Sequence, residues 1–384
     1  MSTEADLAGP ARQPAADPGS SFDITPTDEQ RMLTDAVRAF AVARLRPAAG
    51  AADAACATPP EILTTAADLG LALVGVPEPL GGVLEHRSTV MAALIAEALA
   101  EGDMGIALAC LAPAGVATAL GLWGDAAQQS TYLPAFTGGA PAAAAIAIAE
   151  PRPLFDPLAL RTRATPDPAG GFTLDGVKSL VPRAAEADLL IVAARLEDSP
   201  ALFIVEANTP GITVEPEPAM GVRAAATARV TLEHVKLSGG ALLGAADPSV
   251  YRELVALGRL GWCALAVGTG QAVLDYVTPY VNDRVAFGEP VSNRQSVAFM
   301  VANIAIELDG LRLVTYRAAS LAETGRDFVR EVALARVLAA THAMQIGSDG
   351  VQLLGGHGYT NEHPVERWYR DLRAAGMIEG ALAL

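Results

Sequence analysis

Leu202-Phe-Ile-Val-Glu-Ala-Asn-Thr-Pro-Gly-Ile212 decides how the chain is read. Ala201 to Glu206 is a short apolar run of strand length, and Asn208 to Gly211 is a turn built from residues that favour tight bends. Just upstream, Asp188-Leu-Leu-Ile-Val-Ala193 is a second buried strand. Gly171-Phe-Thr-Leu-Asp-Gly176 reads as a strand entering a turn. Val214-Glu-Pro-Glu-Pro218 is held extended by its prolines, and Val230-Thr-Leu-Glu-His-Val235 alternates. Short strands at regular turn spacing predict a small antiparallel β domain over residues 138–244.

The period changes on both sides of that zone. In residues 22–137, Thr27 with Gln30 forms a capping-box pattern, and Leu33, Val37, Phe40 and Arg44 follow at helical spacing. Pro59 to Leu71 and His86 to Glu101 are further helical stretches, separated by the Gly/Pro-rich turn from Val74 to Gly82. In residues 245–384, Arg259 to Asn282, Arg294 to Thr324 and Val329 to Leu354 are long apolar-striped runs that suit a helix bundle. The class is α+β, mostly α, in the order helices, β domain, helix bundle. Residues 1–21 are Ala/Pro/Gly-rich with no apolar core segment, so they read as a disordered arm and not a signal peptide.

Composition narrows the function. The 384 residues are 51% hydrophobic and 18% charged, which suits packed domains and not disorder. A net charge of −16 argues against nucleic acid and membrane as general partners, while leaving room for a local basic pocket. Three widely spaced cysteines (Cys56, Cys110, Cys263) exclude a disulfide framework and point to the cytoplasm. His86, His234, His342, His357 and His363 show no metal-ligand spacing, so no metal is expected. Gly105 to Gly124 is uncharged but broken by Pro113, which suggests a buried helix pair and not a membrane span.

Certain segments, taken in order, carry a resemblance. They are Leu202–Ile212 itself, Arg284-Val-Ala-Phe-Gly-Glu-Pro290 with Gln295, and Gln352-Leu-Leu-Gly-Gly-His-Gly-Tyr359. Pro364-Val-Glu-Arg-Trp-Tyr-Arg-Asp-Leu-Arg373 and Ile378-Glu379-Gly380 complete the set. From about Phe22 onward the chain resembles the acyl-CoA dehydrogenase family. The resemblance implies an N-terminal helical domain, a middle β domain and a C-terminal four-helix bundle ending in a catalytic-loop tail. It further implies an oligomer, an acyl-CoA substrate, FAD as hydride acceptor and electron-transfer flavoprotein as the next acceptor.

Residue by residue, the resemblance makes Arg284 a ligand of the FAD pyrophosphate of a neighbouring subunit. A guanidinium suits that role because it binds phosphate oxygens bidentately. Phe287 and Gln295 line the same site. Gln352, with Gly355 and Gly356, admits the adenosine half, since glycine has no Cβ to obstruct a close approach. Glu379 is the candidate base for the α-proton of the acyl-CoA, with Arg259 as its support. The family's minority position for the base falls on Gly258, which cannot serve.

The departures from the family pattern fall on one side. Where the family has a Thr-Glu-Pro and Gly-Ser-Asp segment, this chain has Ala149-Glu-Pro-Arg-Pro-Leu-Phe-Asp156. Where the family has Trp-Ile-Thr after a lysine, Lys178 is followed by Ser179-Leu-Val-Pro182. Ala381-Leu382-Ala383 replaces the Thr-x-Gln after Glu379-Gly380. The contacts to a flavin ring in this subunit are therefore lost, while those to a neighbour's pyrophosphate and adenosine are kept. Three readings stay open. One is half of a heteromeric dehydrogenase paired with a second family member, as in bacterial steroid side-chain degradation. Another is a homotetrameric enzyme, for fatty acid or steroid substrates, with Glu379 as base. The last is a flavin-free scaffold.

Overall fold

The structure, a computed structural model, describes residues 26–82, 84–137, 143–168 and 170–384. The arm expected over 1–21 lies outside the described residues.

Helix α1 (Asp28–Phe40) begins at the expected capping box. Thr27 Oγ1 accepts from Gln30 N at 3.2 Å, and Gln30 Oε1 accepts from Thr27 N at 2.9 Å. Each bond satisfies an N–H that a helix start leaves free. Helices α2 (Arg46–Ala55), α3 (Pro60–Asp68), α4 (Thr89–Ala100), α5 (Met104–Trp123) and α6 (Ala126–Tyr132) complete the first unit. The stretch expected to form a helix pair is one helix, because α5 passes through Pro113 without ending. A proline inside a helix costs about 3 kcal/mol, but α5 is buried along nearly its whole length, and packing offsets that cost. Helix α5 is long and apolar enough to cross a membrane, yet 89% of its apolar window is buried inside the protein.

The middle unit is an eight-stranded sheet. Its strands are β1 (Ala144–Ala147), β2 (Arg163–Pro166), β3 (Phe172–Val181), β4 (Leu189–Leu196), β5 (Ser199–Glu206), β6 (Ile212–Pro216), β7 (Ala228–Leu237) and β8 (Leu242–Leu243). They lie in the order β6-β7-β3-β2-β4-β5-β8, with β1 also on β4. The sheet is mixed, not purely antiparallel as expected, because β1 and β2 both run parallel to β4. Parallel pairs need crossovers of a dozen or more residues, which hairpin spacing does not reveal. The stretch through Gly176 is not a strand entering a turn either. Strand β3 continues through it, with a register shift against β7, which marks a bulge.

The run Leu189–Ala193 is apolar throughout because both its faces are covered. Leu190 and Val192 face the sheet's own core with Phe203 and Val230. Leu189, Ile191 and Ala193 join the helical core. Strand β1 divides in the same way, with Ala145 and Ala147 on one side and Ile146 on the other.

The third unit opens with α7 (Pro248–Asp283), which starts earlier than its apolar run suggested because Asp247 caps it. The hairpin β9 (Val285–Ala286) and β10 (Glu289–Pro290) follows. Then come α8 (Gln295–Glu323), α9 (Val329–Leu338) and α10 (Met344–Leu353), the last two joined by a π-helical turn at Ala339–Ala343. Helices α11 (Val365–Leu372) and α12 (Ala374–Met377) close the unit. Helix α7 is central: α8, the α9–α10 rod and α11 pack around it, giving the four-helix bundle, and α4 lies against it from the first unit.

Candidate active site

The segment after α12 carries Glu379 into the junction of the three units. Arg259 comes from α7, and its Nε donates to Glu379 Oε2 at 2.9 Å while Nη2 donates to Oε1 at 2.9 Å. Both carboxylate oxygens are therefore engaged by a planar bidentate partner. Arg336, on the inward face of α9, stands 3.6 Å from Oε1. Burial works against the Arg259 charge, but its hydrogen bonds to Glu379 and the Glu379 charge outweigh it and hold the pKa above the ordinary value. For Arg336 burial wins, and the pKa is lowered despite Glu379. The structure thus joins the two residues expected at the base position, as a closed ion pair.

The backbone around Glu379 is fixed as firmly. Arg336 Nη2 donates to Ile378 O at 2.7 Å and Nη1 to Ala375 O. Trp262 Nε1 donates to Gly380 O at 2.9 Å. Arg87 Nη2 donates to Leu384 O. Neither Arg336 nor Arg87 was singled out from the sequence. The available signal was charge within apolar runs, and many solvated arginines share it.

Of the side chains that stand where the family has its flavin-ring contacts, Leu154 is exposed, while Phe155 and Leu180 are half-buried. Phe155 and Leu180 both pack against the helical core. Leu180 adopts φ +54°, a left-handed conformation rare for a branched residue. Its N–H donates to Glu217 Oε2 at 2.8 Å, and Ser179 Oγ donates to the same oxygen at 2.8 Å. Arg152 lies over the Phe155 ring at 5.2 Å. Tyr251, fully buried, donates to Pro157 O at 2.5 Å. Beneath them, Lys178 is wholly buried and donates to Ile148 O and Glu150 Oε1, both at 3.1 Å. Burial pushes the Lys178 pKa down to about 8 against the pull of Glu150. Glu150 is itself held low: burial would raise its pKa, but Lys178 and the Thr162 and Arg161 N–H groups prevail. The hydroxyl of Ser179 and the N–H of Leu180 are spent on Glu217, while Arg152 Nε has no hydrogen-bond partner.

A second place fits a nucleotide better. A cleft of about 340 Å³ on the bundle is lined by Arg284, Gln352, Gly355, Gly356, Ser296 and Tyr280, among others. A Cβ at Gly355 or Gly356 would point into open space, so the backbone there is approachable. Arg284 is exposed at the end of α7, and Gln295 is exposed at the start of α8. Phe287 stands apart from the cleft. It is 95% exposed on the β9–β10 turn, at φ +57°, with Arg294 against its ring at 5.5 Å. Four of the six residues expected at the cofactor thus share one cleft, while Gln295 and Phe287 lie outside its lining. The cleft faces solvent in this protomer.

The three units in this order, with a carboxylate at their junction and a nucleotide-sized cleft on the bundle, define the class: a flavoprotein dehydrogenase. The chain belongs to the acyl-CoA dehydrogenase family. Residues 27–140, 145–235 and 249–383 match its N-terminal, middle and C-terminal domains. Members of this family are FAD-dependent oxidoreductases acting on a CH–CH bond. The bovine short/branched chain specific acyl-CoA dehydrogenase is 31% identical over 98% of this chain and 88% of its own length. A probable acyl-CoA dehydrogenase of Bacillus subtilis is 32% identical over 94% of this chain and 96% of its own. Butyryl-CoA dehydrogenase from Megasphaera elsdenii has the same fold, with a TM-score of 0.86 at 28% identity, covering 94% of this chain and 96% of that one.

Proposed function

We propose that this chain is one half of a heteromeric acyl-CoA α,β-dehydrogenase. It completes the FAD site of a neighbouring family member and leaves its own ring site unused. The carrying observation is the contrast between its two half-sites: the bundle cleft keeps Arg284, Gln352 and the glycines together, while Phe155 and Leu180 stand where the family has ring contacts and pack against the helical core. In the neighbour's site Arg284 would bind the pyrophosphate and Gln352 with Gly355 and Gly356 would hold the adenosine half. Gln295 and Phe287 would meet the cofactor only across the subunit interface. When bound, FAD accepts the hydride from the β-carbon of the acyl thioester. Glu379 in this chain acts as a strut for Arg259 and Arg336, since both its oxygens are already engaged.

The bundle's outer surface supports assembly. Phe299, Ile306 and Leu313, spaced by two helical turns, form an exposed apolar stripe along α8, and Val329, Leu334 and Val337 are exposed on α9. Such a face favours a partner of the same kind. The substrate class is an acyl-CoA, by analogy with the short/branched chain and butyryl-CoA relatives, in fatty acid or steroid side-chain catabolism. The setting is the cytoplasm, with electron-transfer flavoprotein as acceptor. A second reading, a homotetramer with Glu379 as base, draws its support from the meeting of Glu379 and Arg259. Absorbance near 450 nm separates the two: the heteromer requires colourless protein when the chain is expressed alone and a flavin spectrum after co-expression with its partner.

A further inference from the structure

The glycines of the bundle cleft carry nothing that fixes their own position. A Cβ at Gly355 or Gly356 would meet no atom within 4 Å, and Gly355 sits at φ +58°. A turn without side chains has no packing of its own, so its place is set by the residues around it. It is fixed from two sides. Toward α10, Gly358 lies so close that a Cβ there would run into Val351 O. Toward α7, His357 reaches across from its place next to Gly356, and its Nδ1 shares a hydrogen bond of 2.8 Å with the Tyr280 hydroxyl.

Tyr280 belongs to the opposite wall of the cleft. Its carbonyl accepts from Arg284 N at 2.9 Å, and Arg284 O accepts from Val291 N at 2.8 Å. One residue therefore ties the arginine at the end of α7 to the glycine turn after α10. The tie is backed by a second one. The His363 ring stacks on His357, with centroids 5.4 Å apart and 20° between the planes. His363 Nδ1 pairs in turn with the Tyr276 hydroxyl at 2.7 Å. Tyr276 stands one turn before Tyr280 on the same face of α7. Its ring meets Trp368 edge-on, and Trp368 is buried. A lone His–Tyr contact at a surface is ordinary. Two in parallel, from adjacent turns of α7 to both ends of one loop, fix the distance between that loop and the helix.

We propose that Tyr280 and His357, backed by His363 and Tyr276, are positioning residues of the cleft, holding the Gly355–Gly356 turn at a fixed spacing from Arg284 for an adenosine diphosphate group. The inference rests on the half-site reading of the cleft and deepens it by naming what sets its width. A preorganised turn saves the cost of ordering it on binding, so loosening the brace weakens affinity while Arg284, Gln352 and the glycines all remain.

The test titrates ADP, which carries both adenosine and pyrophosphate, into the full chain and its variants by saturation-transfer NMR. Tyr280→Phe keeps the ring and removes the hydroxyl. His357→Ala removes the other partner, and His357→Asn keeps a polar group near the place of Nδ1. The Kd for ADP should rise about three- to tenfold in Tyr280→Phe and in His357→Ala. It should stay within about twofold of the native value in His357→Asn. The Tyr280→Phe/His357→Ala double variant should bind no more weakly than the weaker single one, because both changes remove one interaction. Hydrogen exchange of the peptide spanning residues 354–364 should quicken in Tyr280→Phe while α5 keeps its protection, which separates a loosened turn from a loosened fold. Arg284→Ala reports on the cleft itself and should weaken ADP in every background. If Arg284→Ala weakens ADP while Tyr280→Phe and His357→Ala leave it unchanged, the brace is overturned and the half-site stands. Losses that add in the double variant, or His357→Asn no better than His357→Ala, also overturn the brace. ADP binding that is absent from the native chain, or indifferent to Arg284→Ala, overturns both.

Discussion

Replacing Glu379 by glutamine separates a strut from a base. The change keeps the shape and removes the charge. In the structure it leaves Arg259 and Arg336 facing a neutral amide, and it loses two charge-assisted contacts of 2.9 Å. Breaking a fully buried pair costs about 3–5 kcal/mol. Here the side chains are 29% and 11% exposed, so about 2–4 kcal/mol is the expected loss. With an unfolding entropy of about 2.1 cal/mol/K per residue, a chain of 384 residues loses roughly 3–5 °C in Tm. A ferrocenium-type assay on the assembly with its partner should find turnover within about twofold of the native rate, because the working base lies in the partner. Loss of a positioned general base costs about 10²–10⁴-fold. A rate collapse of that size with an unchanged Tm would refute the strut.

Three further outcomes are expected. Arg284→Ala should lower FAD retention in the flavin-bearing assembly, since it removes a charge-assisted phosphate contact worth about 1.5–3 kcal/mol; unchanged flavin loss on dilution would count against the cleft. Asp371 accepts from Val222 N at 2.6 Å, and burial together with the Asp103 carboxylate pushes its pKa up to about 8. The folded state keeps a proton that the unfolded chain releases near pH 4, so stability falls as pH rises from about 4 to about 8. Asp371→Asn should flatten that slope by up to about 1.4 kcal/mol per pH unit, and denaturant midpoints that fall equally in both proteins between pH 5 and pH 8 would contradict it. Ile306→Glu with Val337→Glu should break the assembly into smaller species in sedimentation; no change would free the stripe from that role.

Much of the fold was legible because its signals are local. The Thr27 and Gln30 pair marks the start of α1, and the apolar period marks the bundle helices. Errors arose where tertiary structure overrode local preference. Pro113 sits inside α5, Gly176 is a bulge within β3, and β1 and β2 lie parallel to β4 through long crossovers. At the site, the resemblance to the family singled out Glu379 with Arg259, and Arg284 with Gln352 and the glycines, and the structure brings each set together. It could not show that both Glu379 oxygens are taken, nor that Arg336 and Arg87 hold the segment from α9 and the α4 approach. Those contacts join residues far apart in the chain, and their distances exist only once the three units pack together.

Flavin per chain is the decisive quantity. The chain should be purified alone and with a family partner, and its FAD measured after denaturation against total protein. About one FAD per two chains in the mixed assembly, with none in the chain alone, is the expected result, because only the partner's ring site is intact. One FAD per chain in the protein purified alone would contradict the half-site reading and make the chain a self-sufficient dehydrogenase.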